Sequence, residues 1–154
     1  TRSAVVQLAM LILDADAAPR FAEAAGHAGC AAGIAELLRA LPLHRRRSQC
    51  FVPADLLAAA GTSREAFLEG AAGALPALGA FIALGREHLA QARAAARDMP
   101  ASLRPALLPA ASAGAFLAAA ERAGLRAFDQ PPRVSALRRQ WRMMRMASRG
   151  PQVL

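Results

Sequence analysis

The sequence contains no lysine, asparagine or tyrosine, and aromatic residues make up only 5% of its 154 residues. All 19 basic residues are therefore arginine. No aromatic residue is interleaved with the basic runs to stack a base, and no nucleic-acid-binding motif is present. Nucleic acid is accordingly not an expected partner.

Residues that carry catalytic or metal chemistry are also scarce. The two cysteines, Cys30 and Cys50, lie outside any Cys-x-x-Cys spacing and are too few for a disulfide framework, which favours a reducing compartment. The three histidines lack the close spacing of a zinc site. No phosphate-binding loop, nucleophile elbow or dinucleotide fingerprint occurs. Local motifs therefore predict no catalytic residue and no metal ligand.

A long uninterrupted apolar run is missing as well. The apolar stretch from Gly70 to Gly85 is shorter than the roughly 20 residues that cross a bilayer. It also contains Pro76 and many small residues, which weaken it further as a span. We expect no transmembrane span.

What the sequence has in abundance is alanine in helical periodicity. Hydrophobic residues make up 55% of the chain, and no alternating β pattern of useful length occurs. We expect an all-α fold with a single domain over residues 1–154. The expected segments are a helix over 3–13, a helix capped by Asp16 that Pro42 ends, a basic loop over 42–52, a helix over 53–60, a short helix capped by Thr62, and helices over 76–98, 105–123 and 135–148.

The last of these helices, within residues 135–149, is strongly basic. Its apolar residues share one face and arginines crowd the rest, in a chain whose net charge of +8 favours anionic partners. A helix that lies on anionic lipid has this pattern, and so does a helix that docks on a protein partner. A third interpretation is that Trp141 packs on its own bundle and that the arginines are merely solvated. The candidate contact residues are Leu137, Arg138, Trp141, Arg142, Met144 and Arg145.

Residues 33–53 carry the most specific pattern. This segment resembles the second aspartate-rich region of the squalene/phytoene synthase family, Gln-x-x-Asn-x-x-Arg-Asp-x-x-x-Asp followed by Arg-x-Tyr-Leu-Pro. Here Gly33 stands for the Gln, Glu36 for the Asn, Ala40 and His44 for the two Asp, and Phe51 for the Tyr. The frame of the motif is kept, in Leu38-Arg39, Arg46-Arg47 and Val52-Pro53.

Within that family, the run from Leu38 to His44 is similar to the Leu-Arg-Ala-x-Pro-x-His of the mitochondrial complex I assembly factor subgroup. The resemblance covers essentially the whole chain. It implies the C-terminal half of an all-α isoprenoid (terpenoid) synthase-like bundle. A protein partner or a missing N-terminal half would then cover the apolar faces that half a bundle leaves exposed.

Active synthases bind Mg²⁺ through two carboxylate clusters, and the resemblance implies that this chain has lost one of them. We therefore expect a non-catalytic pseudoenzyme that needs no cofactor and acts as an assembly factor or a lipid- or protein-binding factor. The alternative is a head-to-head prenyltransferase, for which Mg²⁺ would be required. Candidate ligands for the phosphate of a prenyl diphosphate or an anionic lipid are Arg39, His44, Arg45, Arg46 and Arg47.

The expected location follows from the composition and the resemblance together. Exclusive use of arginine suits a GC-rich genome, so the cytoplasm of a GC-rich bacterium, peripheral to the inner membrane, is expected. The mitochondrial matrix is the alternative.

Overall fold

A computed structural model describes all 154 residues as an all-α structure without strands, which confirms the expected fold class. Five short 3₁₀ segments connect or extend the helices. The eight α-helices are α1 (Arg2–Leu13), α2 (Ala22–Arg39), α3 (Leu41–Arg46), α4 (Ala54–Ala59), α5 (Arg64–Glu69), α6 (Leu75–Ala95), α7 (Ala113–Ala123) and α8 (Ala136–Arg149).

The core forms around α2 and α6, which pack against each other, with α1 and α7 against α2. No polar or charged side chain is fully buried. Small residues of α2 allow the close approach, and Ala24, Ala25 and Ala28 are completely buried. A Cβ at Gly29 would collide with the backbone of Ser3 in α1, so the α1–α2 contact requires glycine at that position.

The apolar residues of α6 point inward. Leu78, Ile82 and Leu89 are no more than 3% exposed, and Ala96 just beyond the helix end is fully buried. Arg86, Arg93 and Arg97 lie on the exposed side. This orientation follows from the sequence, because one apolar stripe of 3.6-residue period determines which side of a helix is buried.

Pro42 was wrongly expected to begin a loop. It lies in the first turn of α3, where its missing N–H leaves no hydrogen bond unmade, and the chain stays helical to Arg46. The basic run is therefore mostly helical. The change of direction occurs after it, at Ser48, which has a positive φ of 52°.

Two predicted caps are also wrong by one or two residues. Ser63 rather than Thr62 caps α5, and its side-chain oxygen accepts a hydrogen bond from the N–H of Ala66. Asp14 rather than Asp16 caps the turn that leads into residues 18–21, because the carboxylate of Asp14 accepts a hydrogen bond from the N–H of Ala17. Neighbouring residues with similar capping ability cannot be distinguished by spacing alone.

The segment predicted as one helix over 105–123 is two. Residues 101–110 form a 3₁₀ segment that contains Pro105 and Pro109, and α7 begins only at Ala113. Proline removes the i→i−4 donor, so the stretch with two prolines adopts the tighter 3₁₀ form. The last helix matches its prediction closely, with Ser135 as its cap.

One stretch is long and apolar enough for a membrane by length and composition. It comprises the consecutive helical segments from Ala101 to Phe128, with a mean hydropathy of 1.3 in its most apolar window. That window is 61% buried inside the fold, where Leu103, Leu107 and Leu117 are completely inaccessible. Its apolar character is therefore explained by core packing, and no clear transmembrane span is present.

The outer side of α1 is apolar and uncovered. Val5, Leu8 and Ile12 are 63%, 59% and 77% exposed, while Val6 and Met10 bury the opposite side. Exposed apolar faces of this kind were expected of half a bundle. That a protein partner or an N-terminal half covers them stays a prediction.

Candidate functional site

A groove of about 470 Å³ opens between α2, α7 and α8. Its walls are mostly small or apolar, and its polar side chains include three arginines and one carboxylate. The apolar lining is Ala32, Ala35, Leu108, Pro109, Ala113, Phe116, Ala136 and Met143. The polar lining is Arg2, Glu36, Arg39, Ser112, Arg139 and Gln140. The groove therefore offers an apolar wall beside a basic rim.

Helical spacing on α2 explains why the motif residues reach this groove. Ala32 and Glu36, like Ala35 and Arg39, are four residues apart, and Ala32 and Ala35 are three apart, which places all four on one side of the helix. The small side chains of Ala32 and Ala35 leave open the part of the groove that larger side chains at these positions would fill. Of the resembling segment 33–53, Ala35, Glu36 and Arg39 therefore line the groove.

Glu36 is the only carboxylate in the groove lining, and two arginines pair with it. Arg2 of α1 forms an ion pair with one carboxylate oxygen, and Arg39 lies 3.6 Å from the other. All three side chains are between 40% and 52% exposed, so each pair contributes little to stability. The effect of the pairing is to neutralise the one negative charge of the groove.

These residues do not fit the Mg²⁺ ion that the family implies. Mg²⁺ requires oxygen ligands, and the positions of the two motif aspartates hold Ala40, at the end of α2, and His44. No group of three or more His, Cys, Asp or Glu side chains is arranged to hold a metal ion. Glu36 alone, already engaged by two guanidinium groups, is a poor ligand for a hard cation.

The five phosphate-ligand candidates are not brought together. Arg39 lies in the groove. Arg45 donates to Asp129 at 2.5 Å and to the carbonyl oxygen of Glu69 at 2.8 Å, so it joins α3 to two neighbouring segments. Arg46 and Arg47 are exposed near α3 and are not part of the groove lining.

His44 turns away from the groove. Its ring packs edge-on against Phe51 with centroids 4.6 Å apart, and its Nδ1 is buried without a hydrogen-bond partner. The two residues that replace the family's Asp and Tyr are therefore in contact. The small apolar space beside them, lined by Leu38, Leu41 and Phe67, is far too small for a prenyl chain.

Sequence reasoning did not identify Arg2 and Arg139 as groove residues. Arg2 reaches the groove because of how α1 packs on α2, which no local pattern encodes. Arg139 could have been found, because on a helical wheel it falls between Met143 and the buried Met146. Arg139 lies on the side of α8 that lines the groove, together with Ala136, Gln140 and Met143.

The helix α8 is loosely attached to the rest of the fold. Of the 14 residues of α8 only Met146 is buried. The helix packs mainly on residues 101–110 and on the C-terminal 3₁₀ turn. Trp141 is 54% exposed, so it packs only partly on the bundle. Leu137 and Met144 are 78% and 57% exposed beside it.

Arginines on α8 lie near one another and near α6. Burial lowers the pKa of Arg142, and the charges of Arg138, Arg145 and Arg93 lower it further. No arginine of α8 forms a salt bridge, since the five ion pairs of the structure all lie elsewhere. The positive charge on this side of the molecule is therefore not balanced by carboxylates.

A second titratable cluster lies between α2 and α6. The Nδ1 atoms of His27 and His88 are 2.8 Å apart, so one ring donates a hydrogen bond to the other. Burial lowers the pKa of His88, the charge of His27 lowers it further, and Glu87 partly opposes this. Glu23 lies 3.9 Å from Nε2 of His27 on the outer side. Burial and the neighbouring His27 therefore disfavour a positive charge on the ring of His88.

A family model described as squalene/phytoene synthase matches residues 1–141 of the chain. No curated protein and no solved structure gives a significant match. The family match covers α1 to α7 and the first turns of α8, including the groove and the motif segment on α2. The all-α architecture agrees with the isoprenoid synthase-like fold of that family. The chain belongs to the squalene/phytoene synthase family.

Proposed function

We propose that the chain is a non-catalytic member of this family that binds an anionic amphiphile in the groove without a metal ion. The phosphate of the ligand would be held by Arg39 and Arg139, and its hydrocarbon part would lie on the alanine-rich wall. Prenyl diphosphates and anionic lipids share this chemistry. The observation that carries the proposal is that Glu36, the single groove carboxylate, is ion-paired with Arg2 and Arg39.

Guanidinium chemistry supports recognition without a metal. Arginine stays charged at all relevant pH values and presents a fork of donors that matches phosphate oxygens. In active synthases Mg²⁺ bridges carboxylates to the diphosphate. With alanine and histidine at the aspartate positions, residues 33–53 supply no aspartate pair for an ion to bridge, and direct contacts from arginine would replace the ion.

An assembly role is the finer part of the proposal. The run Leu38-Arg39-Ala40-Leu41-Pro42-Leu43-His44 resembles the complex I assembly factor subgroup, in which the same aspartates are replaced. The uncovered apolar side of α1 suits a protein that works in contact with another polypeptide. An assembly factor needs to bind its partners but not to catalyse a reaction. Loss of the aspartates of the motif is consistent with such a role.

The alternative function is head-to-head transfer of prenyl groups, which the family match over residues 1–141 favours. It would require Mg²⁺ ligands that replace the lost second motif. Residues 33–44 do not supply them.

Titration calorimetry with farnesyl diphosphate, in EDTA and then in Mg²⁺, tests the proposal. We expect saturable binding in EDTA, weakened at least tenfold in Arg39→Ala and in Arg139→Ala, because each removes a charge-assisted contact worth about 1.5–3 kcal/mol. Arg133→Ala, an exposed arginine of the 129–135 connector, is the matched control and should bind as the parent does. Binding that needs Mg²⁺, or equal losses in all three variants, would overturn the proposal.

A further inference from the structure

The outward face of α8 is apolar and lies opposite its only buried residue. Successive residues of an α-helix are about 100° apart, so Leu137, Trp141 and Met144 fall within about 60° of arc, centred roughly opposite Met146. Met146 is completely buried and the other three are more than half exposed. The helix thus presents this apolar stripe directly away from the body of the protein.

A basic strip runs along one side of that stripe. By the same spacing, Arg138, Arg142, Arg145 and Arg149 lie in the next quarter of the helix, between the apolar stripe and Met146. No aspartate or glutamate occurs after Asp129, so nothing on this segment offsets the charge. A partner for this face must therefore be both apolar and negatively charged.

An anionic bilayer surface has both properties, with the negative charge at its surface and the apolar region a few ångströms deeper. Arginine head groups at the level of lipid phosphates and Leu, Met and Trp side chains a few ångströms deeper are the arrangement of an interfacial helix. Tryptophan in particular prefers this boundary, because its ring is apolar and its N–H is polar. An acidic protein would match the charge of the arginines. It would also need an apolar pocket for Leu137, which is 78% exposed, and the pattern of α8 does not predict such a pocket.

The length of α8 fits a helix that lies on the membrane. At about 1.5 Å per residue its 14 residues extend about 21 Å, which is less than the thickness of the hydrocarbon core. Because only Met146 anchors it in the core, the outer surface of the helix is free to enter a membrane interface while the fold stays intact.

We propose that α8 docks the protein on an anionic membrane, with Leu137, Trp141 and Met144 at the acyl boundary and Arg138, Arg142 and Arg145 on lipid phosphates. The inference goes beyond the groove and does not depend on it, since the groove is lined by a different side of α8, Ala136, Arg139, Gln140 and Met143.

The chain carries its own probe for this contact. Trp141 is the only tryptophan, so tryptophan fluorescence reports on α8 alone. Vesicles of phosphatidylcholine with 40% phosphatidylglycerol should sediment the protein and shift the emission of Trp141 to shorter wavelength. Vesicles of phosphatidylcholine alone should do neither, and raising the salt from about 0.1 M to 0.5 M should reverse both effects because exposed charges are screened.

Two variants separate charge from insertion. Arg138→Gln/Arg142→Gln/Arg145→Gln should weaken vesicle binding on the order of a hundredfold, since each arginine at an anionic surface contributes about fivefold. Leu137→Ser/Met144→Ser should weaken binding and reduce the spectral shift. Circular dichroism should show unchanged helicity and melting for both variants, because the substituted residues lie outside the core.

Two matched controls decide the specificity. The triple variant Arg20→Gln/Arg122→Gln/Arg133→Gln loses the same three charges from exposed positions elsewhere and should bind vesicles nearly as the parent does. Leu8→Ser/Ile12→Ser, on the other exposed apolar face, should also retain binding. The proposal is overturned if either control loses binding as strongly as the α8 variants, if Trp141 does not shift on bound vesicles, or if only an acidic protein and no vesicle binds.

Discussion

Replacement of Glu36 by glutamine distinguishes a groove that binds phosphate through arginine from one that binds it through a metal. Glu36 is paired with Arg2 and lies 3.6 Å from Arg39, so the carboxylate competes with a bound phosphate for the guanidinium group of Arg39 and repels that phosphate. Glutamine keeps the shape and removes the charge. We expect Glu36→Gln to bind farnesyl diphosphate more tightly than the parent chain, in the absence of metal.

The size of the effect follows from exposure. A carboxylate and a phosphate about 5 Å apart in a water-exposed groove repel each other by about 1 kcal/mol, which corresponds to about fivefold in Kd. The two ion pairs are half exposed, so losing them should lower the free energy of unfolding by no more than about 1 kcal/mol. The variant should therefore be folded and measurable.

Calorimetry in EDTA, with thermal melting of the same samples, provides both quantities. Arg39→Gln is the opposite variant and should bind more weakly, while the double variant should fall between the two. If Glu36→Gln binds more weakly than the parent, or loses a Mg²⁺-dependent component of binding, Glu36 is a ligand-supporting or metal-supporting group. The reasoning about the groove would then be refuted.

The other predictions concern stability. Because the folded state lowers the pKa of His88 below its ordinary 6.5, the contribution of the His27–His88 contact is fully present above about pH 6.5 and is lost as the pH falls through the lower folded value. His88→Gln should reduce this loss between pH 7 and pH 5 in urea unfolding, and an unchanged pH profile would contradict the assignment. Gly85→Ala would place a Cβ 2.9 Å from a methyl of Leu117, so it should lower the free energy of unfolding by about 1 kcal/mol. Gly79→Ala, in the same helix with open space around it, should raise that free energy by about 0.5–1 kcal/mol; stabilisation by both substitutions would show that the packing at position 85 is loose.

The sequence was sufficient for features that depend on local periodicity. The buried face of α6, the end of α1 and the extent of α8 follow from apolar spacing and from caps such as Ser135. Local signals were misleading where one residue type serves two purposes. Pro42 both ends one helix and begins the next, so a reading of proline as a terminator alone misses α3.

The groove shows where sequence reasoning stops. The motif frame identified Glu36 and Arg39, which do line it. Arg2 lines the groove because α1 packs on α2, where Gly29 leaves room for the backbone of Ser3. Such a long-range contact has no local sequence pattern. For Arg45 the sequence misled in the other direction. The basic run predicted that Arg45 binds a phosphate, whereas its side chain joins α3 to Asp129 and Glu69.

The dependence of farnesyl diphosphate binding on Mg²⁺, with diphosphate release followed in the same samples, tests the central claim most directly. The account predicts the same Kd in EDTA and in Mg²⁺, no released diphosphate, and no C30 product by mass spectrometry. Binding that appears only with Mg²⁺, or metal-dependent release of diphosphate, would contradict it and would assign the chain to the catalytic members of its family.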